Sequence, residues 1–341
     1  MKFLKRIGAA APVATSLVVL AGALALPSAA SAQTKTITID GSSTVFPVSE
    51  AVAEEFQKLK KNEVRVTVGV SGTGGGFKKF CRGETDISNG SRPILRQEMD
   101  ECAKNGIKFV EMPIAFDALT VAVSPKNKFL ECIKVADLKK IWEPAAQGKV
   151  MNYSDVNPAW PNKKMTLFGA GADSGTFDYF TEAVNGKAKA TRADFTASED
   201  DNVLVTGIER DENALGYIPF AYYEPHKTKL KALGIDEGKG KGCVKPSLEA
   251  VNAGTYNPLA RPLFIYISTK AAEKPEVKEY VEFLMTKGPA LVKEVKYLPL
   301  PPEAYATAHR HFKEGRLGTV FGGVPEIGVS VEELMKRDAK I

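Results

Sequence analysis

Three short stretches, far apart in a chain of 341 residues, carry the same chemistry. They are Gly41-Ser42-Ser43-Thr44, Ser71-Gly72-Thr73-Gly74-Gly75-Gly76 and Asp173-Ser174-Gly175-Thr176. Each is small, rich in hydroxyls and glycine, and followed at once by a helix-like pattern. Backbone N–H groups at a helix start point outward unpaired, and the helix dipole favours negative charge there. Glycine lets the backbone approach closely, while Ser and Thr add hydroxyl donors. That chemistry suits capture of a tetrahedral oxyanion. One such stretch alone reads as an ordinary helix cap. Three of them, with Arg92 nearby, predict an anion site.

A catalytic alternative makes Ser174 a nucleophile. A nucleophilic serine needs a base, most often histidine. Ala172-Asp173-Ser174-Gly175 does not match Gly-x-Ser-x-Gly, and His226, His309 and His311 lie away from the glycine-rich stretches in sequence. A phosphatase would usually want a cluster of metal ligands, and none stands out. The expectation is a binding protein, not an enzyme, with no metal and no cofactor. An adhesion role, with the anion site secondary, is a third reading.

These stretches need elements to hold them. Thr36-Ile37-Thr38-Ile39 alternates as a strand. Pro47 suits the first turn of a helix with an apolar face of Val48, Val52, Phe56 and Leu59. Val64, Val66, Val68 and Val70 alternate as a second strand that runs into the Ser71 loop, and Phe77 to Phe80 opens a helix. Met165-Thr166-Leu167-Phe168 feeds residues 169–176, and Phe177, Phe180 and Val184 continue as a helix. Repeated strand–glycine turn–helix units predict a parallel α/β sheet. Ligands in such sheets bind at the carboxyl ends of strands. Further strands are expected at Leu119 to Val123 and at Leu263 to Ile267. The order predicts two lobes with crossings near residues 119–124 and 263–268. Residues 33–120 and 263–323 form a discontinuous first lobe, and residues 121–262 the second. Residues 324–341 are a charged tail, partly helical at Val331 and Leu334.

The first 32 residues read as a secretory signal peptide. Lys2, Lys5 and Arg6 precede an apolar run from Ile7 to Leu26, and Ala30-Ser31-Ala32 is an A-x-A cleavage site. Pro12 and Pro27 argue against a membrane anchor. The expected product is a soluble exported monomer that starts near Gln33. The chain holds 46 Lys+Arg against 41 Asp+Glu, and losing the three leader charges lowers the net charge from +5 to +2. That is too mild to argue for nucleic acid or a membrane surface. Cys81, Cys102, Cys132 and Cys243 can form disulfides after export. Sequence leaves three pairings open, and we favour Cys81 with Cys102 and Cys132 with Cys243.

Four motifs in order now define a resemblance. Asp40-Gly-Ser-Ser-Thr-Val-Phe-Pro47, Ser71-Gly-Thr-Gly-Gly-Gly76, Asp86-Ile-Ser-Asn-Gly-Ser-Arg-Pro93 and Asp173-Ser-Gly-Thr-Phe177 resemble those of periplasmic phosphate-binding proteins, the substrate-binding subunits of the high-affinity phosphate ABC transporter. The likeness runs over nearly all of residues 35–323. It implies an α/β, two-lobed periplasmic-binding-protein fold with mixed, mostly parallel sheets and two crossing strands as a hinge. It also implies one phosphate buried in the cleft, no catalysis, a periplasmic location and the transporter's membrane subunits as partners. Carried over, the motifs place Ser43, Thr44 and the Val45 backbone at the anion, then Ser71, Thr73 and Gly74, then Ser91 and Arg92, then Ser174, Gly175 and Thr176. Some relatives carry an arginine where Ala170 stands and an aspartate where Ser91 stands. Arg92 is the candidate replacement guanidinium, able to grip phosphate in bidentate fashion. Its alternative is an ion pair with Glu84 or Glu98.

Phosphate keeps a proton at neutral pH and sulfate does not. A buried carboxylate that accepts this proton would admit phosphate and repel sulfate. Asp86 and Asp173 are the candidates. Asp173 reads better as the cap of the helix at Ser174, and Asp86 has an alternative as a strand-end turn. A binding protein for sulfate, molybdate or tungstate is the rival within the same fold.

Overall fold

The computed structural model describes residues 35–240, 242–324, 326–329, 333, 334, 336 and 337. The expected signal peptide therefore lies outside the described residues, as does Val331 of the tail. The valine alternation becomes one edge of a parallel sheet. β1 (Lys35–Gly41), β2 (Val64–Val70) and β3 (Ile87–Gly90) run parallel in the order β2-β1-β3. α1 (Phe46–Leu59), α2 (Gly72–Cys81) and α3 (Arg96–Lys104) follow them in turn. α1 buries Val48, Val52 and Phe56 as its spacing predicts, whereas Leu59, its last residue, is 62% exposed.

β4 (Phe109–Val123) joins the two halves of the molecule. Only Leu119 to Val123 was expected as a strand. The fifteen residues are nearly all buried, so no alternation marks them in sequence. Beyond β4 come β5 (Cys132–Lys134), α4 (Val135–Trp142), α5 (Tyr153–Val156), β6 (Thr166–Ala170), α6 (Gly175–Asn185), β7 (Thr196–Ser198), α7 (Asp201–Arg210), β8 (Ala214–Pro219) and α8 (Phe220–Tyr223). Then follow β9 (Lys231–Ala232), β10 (Gly234–Asp236), β11 (Cys243–Val244), α9 (Leu248–Asn252) and β12 (Ala260–Ser268). Helices α10 (Thr269–Ala272), α11 (Pro275–Glu294) and α12 (Pro302–Lys313) cover the first half.

The strand order is β2-β1-β3-β12-β4-β8-β6-β7, with β9 on β4. Residues up to Ala118 of β4 pair antiparallel with β12, and Leu119 to Val123 pair antiparallel with β8. The chain thus crosses between halves at Ala118/Leu119. It returns just before β12, where Leu119 N–H donates to Leu259 C=O at 2.8 Å. This is earlier than the expected 263–268, because β12 lies wholly in the first half between β3 and β4. β6 runs parallel to both β7 and β8.

Cys81 is bonded to Cys102, tying α2 to α3, and Cys132 to Cys243, tying β5 to β11 across β10. Among the described residues no helix is long and apolar enough to cross a membrane. In the tail, Leu334 is buried and Arg337 pairs with Glu326 and Glu333.

Candidate anion-binding site

Parallel strands bring their carboxyl ends to one edge, and that edge carries the candidate residues. The turns after β1, β2 and β3 bring Ser43-Thr44, Ser71 to Gly74, and Ser91-Arg92. The turns after β6, β7 and β8 bring Asp173 to Thr176, Asp201 and Tyr222. The two sets meet face to face. Across them Thr44 Oγ1 lies 2.9 Å from Thr176 Oγ1, and within the first set Thr73 Oγ1 lies 3.1 Å from Ser91 Oγ. All four side chains are fully buried. Tyr222 and Tyr297 donate to the carbonyls of Ser43 and Thr44 at 3.2 and 2.6 Å, which fixes the first turn. α6 is anchored by Phe180, stacked on Tyr217 of β8 at 3.8 Å and met edge-on by Trp142.

Helix starts supply the backbone donors. Neither α1, after its N-cap Val45, nor α2, after its N-cap Ser71, has a side-chain cap, but Val45 N–H makes a long bond to Ser42 Oγ at 3.4 Å and Gly74 N–H is taken by the Asp173 carbonyl. α6 differs. Ser174 Oγ accepts from Thr176 N–H at 3.1 Å, so Ser174, not Asp173, is its cap. The Ser174 hydroxyl proton is still available to donate. Gly175 sits where the halves touch: a Cβ there would stand 2.5 Å from both Ser91 Oγ and Thr73 Oγ1.

The guanidinium at this edge comes from a strand that runs the other way. β12 is antiparallel to β3 and β4, so its first residues reach the edge where parallel strands end. Arg261 stands opposite Asp117 in that register. Its Nε and Nη2 donate to Asp117 Oδ2 at 3.2 and 3.1 Å. Nη2 also donates to Thr176 Oγ1 at 2.8 Å and Thr44 Oγ1 at 3.2 Å, linking both halves. The Tyr179 ring lies 5.7 Å from the guanidinium. Arg261 is 0% exposed, yet among the described residues its Nη1 finds no hydrogen-bond partner.

Arg92 has a different place from the one expected. Nε donates to Asp178 Oδ2 at 2.6 Å, Nη2 to Glu98 Oε1 at 2.7 Å, and Nη1 to Glu98 Oε2 and Pro93 C=O at 2.8 and 3.0 Å. Burial opposes its charge, and Glu98 and Asp178 more than offset that. Since Asp178 belongs to α6, Arg92 is a buried clasp between the halves. Of the two partners expected for an ion pair, Glu98 is used. Glu84 pairs with Arg82.

Other expected ligands are also turned away. The Ser71 hydroxyl donates to Asp40. Gly74 N–H donates to Asp173 C=O at 2.9 Å, a main-chain bond between the halves. Lys78 and Asp173 form an ion pair at 2.9 Å beside it. Asp86 stands at the start of β3, the opposite end from Ser91. Its carboxylate accepts from Thr38 N–H at 3.0 Å, the Thr38 hydroxyl and Lys274. It does not join the cluster and instead ties the start of β3 to β1 and to Lys274.

One carboxyl that the sequence did not single out does join it. Asp201 opens α7 at the end of β7 and is 1% exposed. Burial pushes its carboxyl up to about 7, against the pull of the Ser43 hydroxyl and Arg261. Its Oδ2 has no hydrogen-bond partner among the described residues. Asp117 is likewise pushed up by burial, with Arg261 opposing.

The PBP superfamily domain matches residues 27–287. The chain is 51% identical to Protein SphX of Synechococcus elongatus over 91% of this chain and 90% of that protein. It is 36% identical to the phosphate-binding protein PstS of Staphylococcus saprophyticus, covering 78% of this chain and 81% of the relative. The chain belongs to the PstS phosphate-binding protein family of the PBP superfamily. A solved family member agrees in fold. A possible phosphate binding protein from Planctomyces limnophilus is 48% identical and superposes with a TM-score of 0.62 over 82% of this chain and 98% of that one. Within the family fold, the sequence signals that could have found Arg261 and Asp117 are their lone opposite charges inside otherwise apolar runs, Ala115-Phe116-Asp117-Ala118-Leu119 and Arg261-Pro262-Leu263-Phe264.

Proposed function

We propose that this chain captures inorganic phosphate between its two lobes and delivers it to the membrane subunits of a phosphate ABC transporter. The observation that carries the reading is Arg261: a fully buried guanidinium with one nitrogen unpartnered among the described residues, bonded to hydroxyls from both halves of the sheet. A dehydrated dianion needs several donors on each oxygen. Arg261, the hydroxyls of Ser43, Thr44, Thr73, Ser91, Ser174 and Thr176, and the amides of Val45 and Gly175 form the proposed set. Ser71, Gly74 and Arg92 hold the surrounding turns and the two halves from outside it, and Asp86 lies away at the far end of β3. Release would swing the lobes apart where β4 and the chain before β12 cross.

The protein acts without catalysis in this reading, exported to the periplasm after removal of residues 1–32. No described hydrogen bond joins Ser174 to a histidine, and His226 Nδ1 lies 2.9 Å from the Tyr222 carbonyl instead. Calorimetry on mature protein, unfolded and refolded to strip bound anion, tests the reading. One-to-one phosphate binding with no sulfate heat is expected. Preference for sulfate, or no anion binding by folded protein, overturns it.

A further inference from the structure

The last described stretch of the chain takes no part in the anion site, yet it touches both halves. Its root is fixed to the first half. Gly318 N–H donates to Phe109 C=O at 2.9 Å, and Val320 N–H to the Glu111 carboxylate of β4 at 3.0 Å. Arg96 of α3 donates from its backbone to Gly323 C=O at 2.9 Å and from Nη2 to Gly322 C=O at 2.7 Å. The Phe321 ring meets Phe264 of β12 edge-on at 5.7 Å. Beyond the root, Arg337 turns the chain back on itself. It pairs with Glu326 at 2.7 Å and Glu333 at 2.6 Å, and its guanidinium lies 5.4 Å from the Phe321 ring. Val329 and Leu334 are buried. A terminus with these contacts is tied down.

Its far contact lies in the second half. Gly328 N–H donates to Tyr179 Oη of α6 at 3.3 Å. That hydroxyl shares its one proton between the carbonyls on either side of Leu259, Ala260 C=O at 2.6 Å and Pro258 C=O at 3.1 Å. Leu259 is where the chain returns to the first half. One phenol oxygen thus joins the tail, α6 and the crossing. The Tyr179 ring lies 5.7 Å from the Arg261 guanidinium, and the carbonyl its hydroxyl holds most closely belongs to the residue before Arg261. Tyr179 therefore brackets Arg261 from both ends, on the helix whose first residues are Gly175 and Thr176.

Resting on the anion-site reading above, we propose that residues 326–329 are a strap between the halves, and that its foot is Tyr179, a positioning residue for Arg261 and α6. The root belongs to the first half and the foot travels with α6, so swinging the halves apart draws Gly328 and Tyr179 apart. A contact made in only one of two arrangements shifts the balance toward that arrangement. Here the favoured arrangement has the halves together. Loss of the strap lowers its population, and the hold on the anion falls with it.

The test loads mature protein with radiolabelled phosphate and chases it with excess unlabelled phosphate. Wild type is compared with a chain that ends at Gly323 and with Tyr179→Phe, which keeps the ring and loses the hydroxyl. Phosphate is expected to leave each variant at least threefold faster than wild type, and a smaller change in either overturns the proposal. A lower urea midpoint without that faster release is what a merely structural tail would give. If circular dichroism shows that the shortened chain does not fold, hydrogen exchange in the full chain decides in its place. Amides of residues 326–329 are expected to exchange at least threefold more slowly with phosphate bound than without, and a smaller difference overturns the strap. A wild type that binds no phosphate removes the anion-site reading and the strap together. Phosphate bound by wild type and released at the same rate by both variants removes the strap alone.

Discussion

Arg92 and Arg261 are both buried arginines, and they do opposite things. Arg92 gives its nitrogens to Glu98, Asp178 and a carbonyl, so its charge is consumed within the protein. Arg261 answers one carboxylate and two hydroxyls, and its Nη1 has no partner among the described residues. The first holds elements to each other, and the second, in the proposed reading, holds the anion. Nearness to a motif in sequence does not tell these roles apart. The count of acceptors already committed does.

The sharpest way to break this contrast is Arg261→Met. Phosphate affinity is expected to fall about a hundredfold or more, as charge-assisted bonds are lost. Stability is expected to drop by about 3–5 kcal/mol, because Asp117 is left buried and uncompensated. Calorimetry and urea unfolding measure the two. Phosphate binding retained within tenfold would return the anion's charge to Arg92.

Arg92→Met is expected to cost about 3–5 kcal/mol of stability for the same physical reason, since it strands Asp178 and Glu98. Its effect on affinity should come through closure and be near tenfold. A double-mutant cycle with Asp178→Asn shows whether the pair acts as a unit. Additive stability losses would mean that the clasp is not real.

Asp201 adds a pH signature to the Arg261 side. Its carboxyl keeps a proton in the folded chain up to about pH 7, well beyond where the unfolded chain releases it. The native state therefore binds more protons between about pH 4 and 7, and stability from this group falls as pH rises through that window. Urea midpoints of ligand-free wild type and Asp201→Asn at pH 5 and pH 8 are expected to diverge. The Asn variant should gain on the order of 2–4 kcal/mol relative to wild type at the higher pH. Parallel midpoints would remove the raised carboxyl.

Smaller effects separate ligand hydroxyls from bystanders. Thr176→Val is expected to cost phosphate binding about 1–3 kcal/mol, by loss of a buried hydroxyl that contacts Arg261. Asp86→Asn is expected to leave affinity within twofold and change stability by about 1 kcal/mol or less, as a partly exposed pair with Lys274 would. A large affinity loss there would restore Asp86 as an acceptor for the ligand's proton.

Much of this arrangement is legible in the residues. The valine alternation of β2, the glycine turns and the helix faces after them marked three strand–turn–helix units, and their turns do converge. What escaped did so for physical reasons. β4 is buried on both faces, so no alternation announces its full length. Arg261 is brought to the edge by an antiparallel strand, a long-range pairing that local pattern does not contain. Asp201 sits in Glu199-Asp200-Asp201, an acidic run that reads as solvated although its last member is 1% exposed.

Gly175 carries a final consequence. The atoms that an added methyl group would strike, Ser91 Oγ and Thr73 Oγ1, belong to the opposite half of the molecule. Gly41 is different, for its obstruction is the Asn89 backbone in the neighbouring strand of its own sheet. A wedge at Gly41 must deform a sheet, whereas a wedge at Gly175 need only hold two jaws ajar. Gly175→Ala is thus a doorstop: a chain that keeps its architecture and is arrested in the gaping posture. Small-angle scattering would see it as a larger radius that phosphate does not shrink.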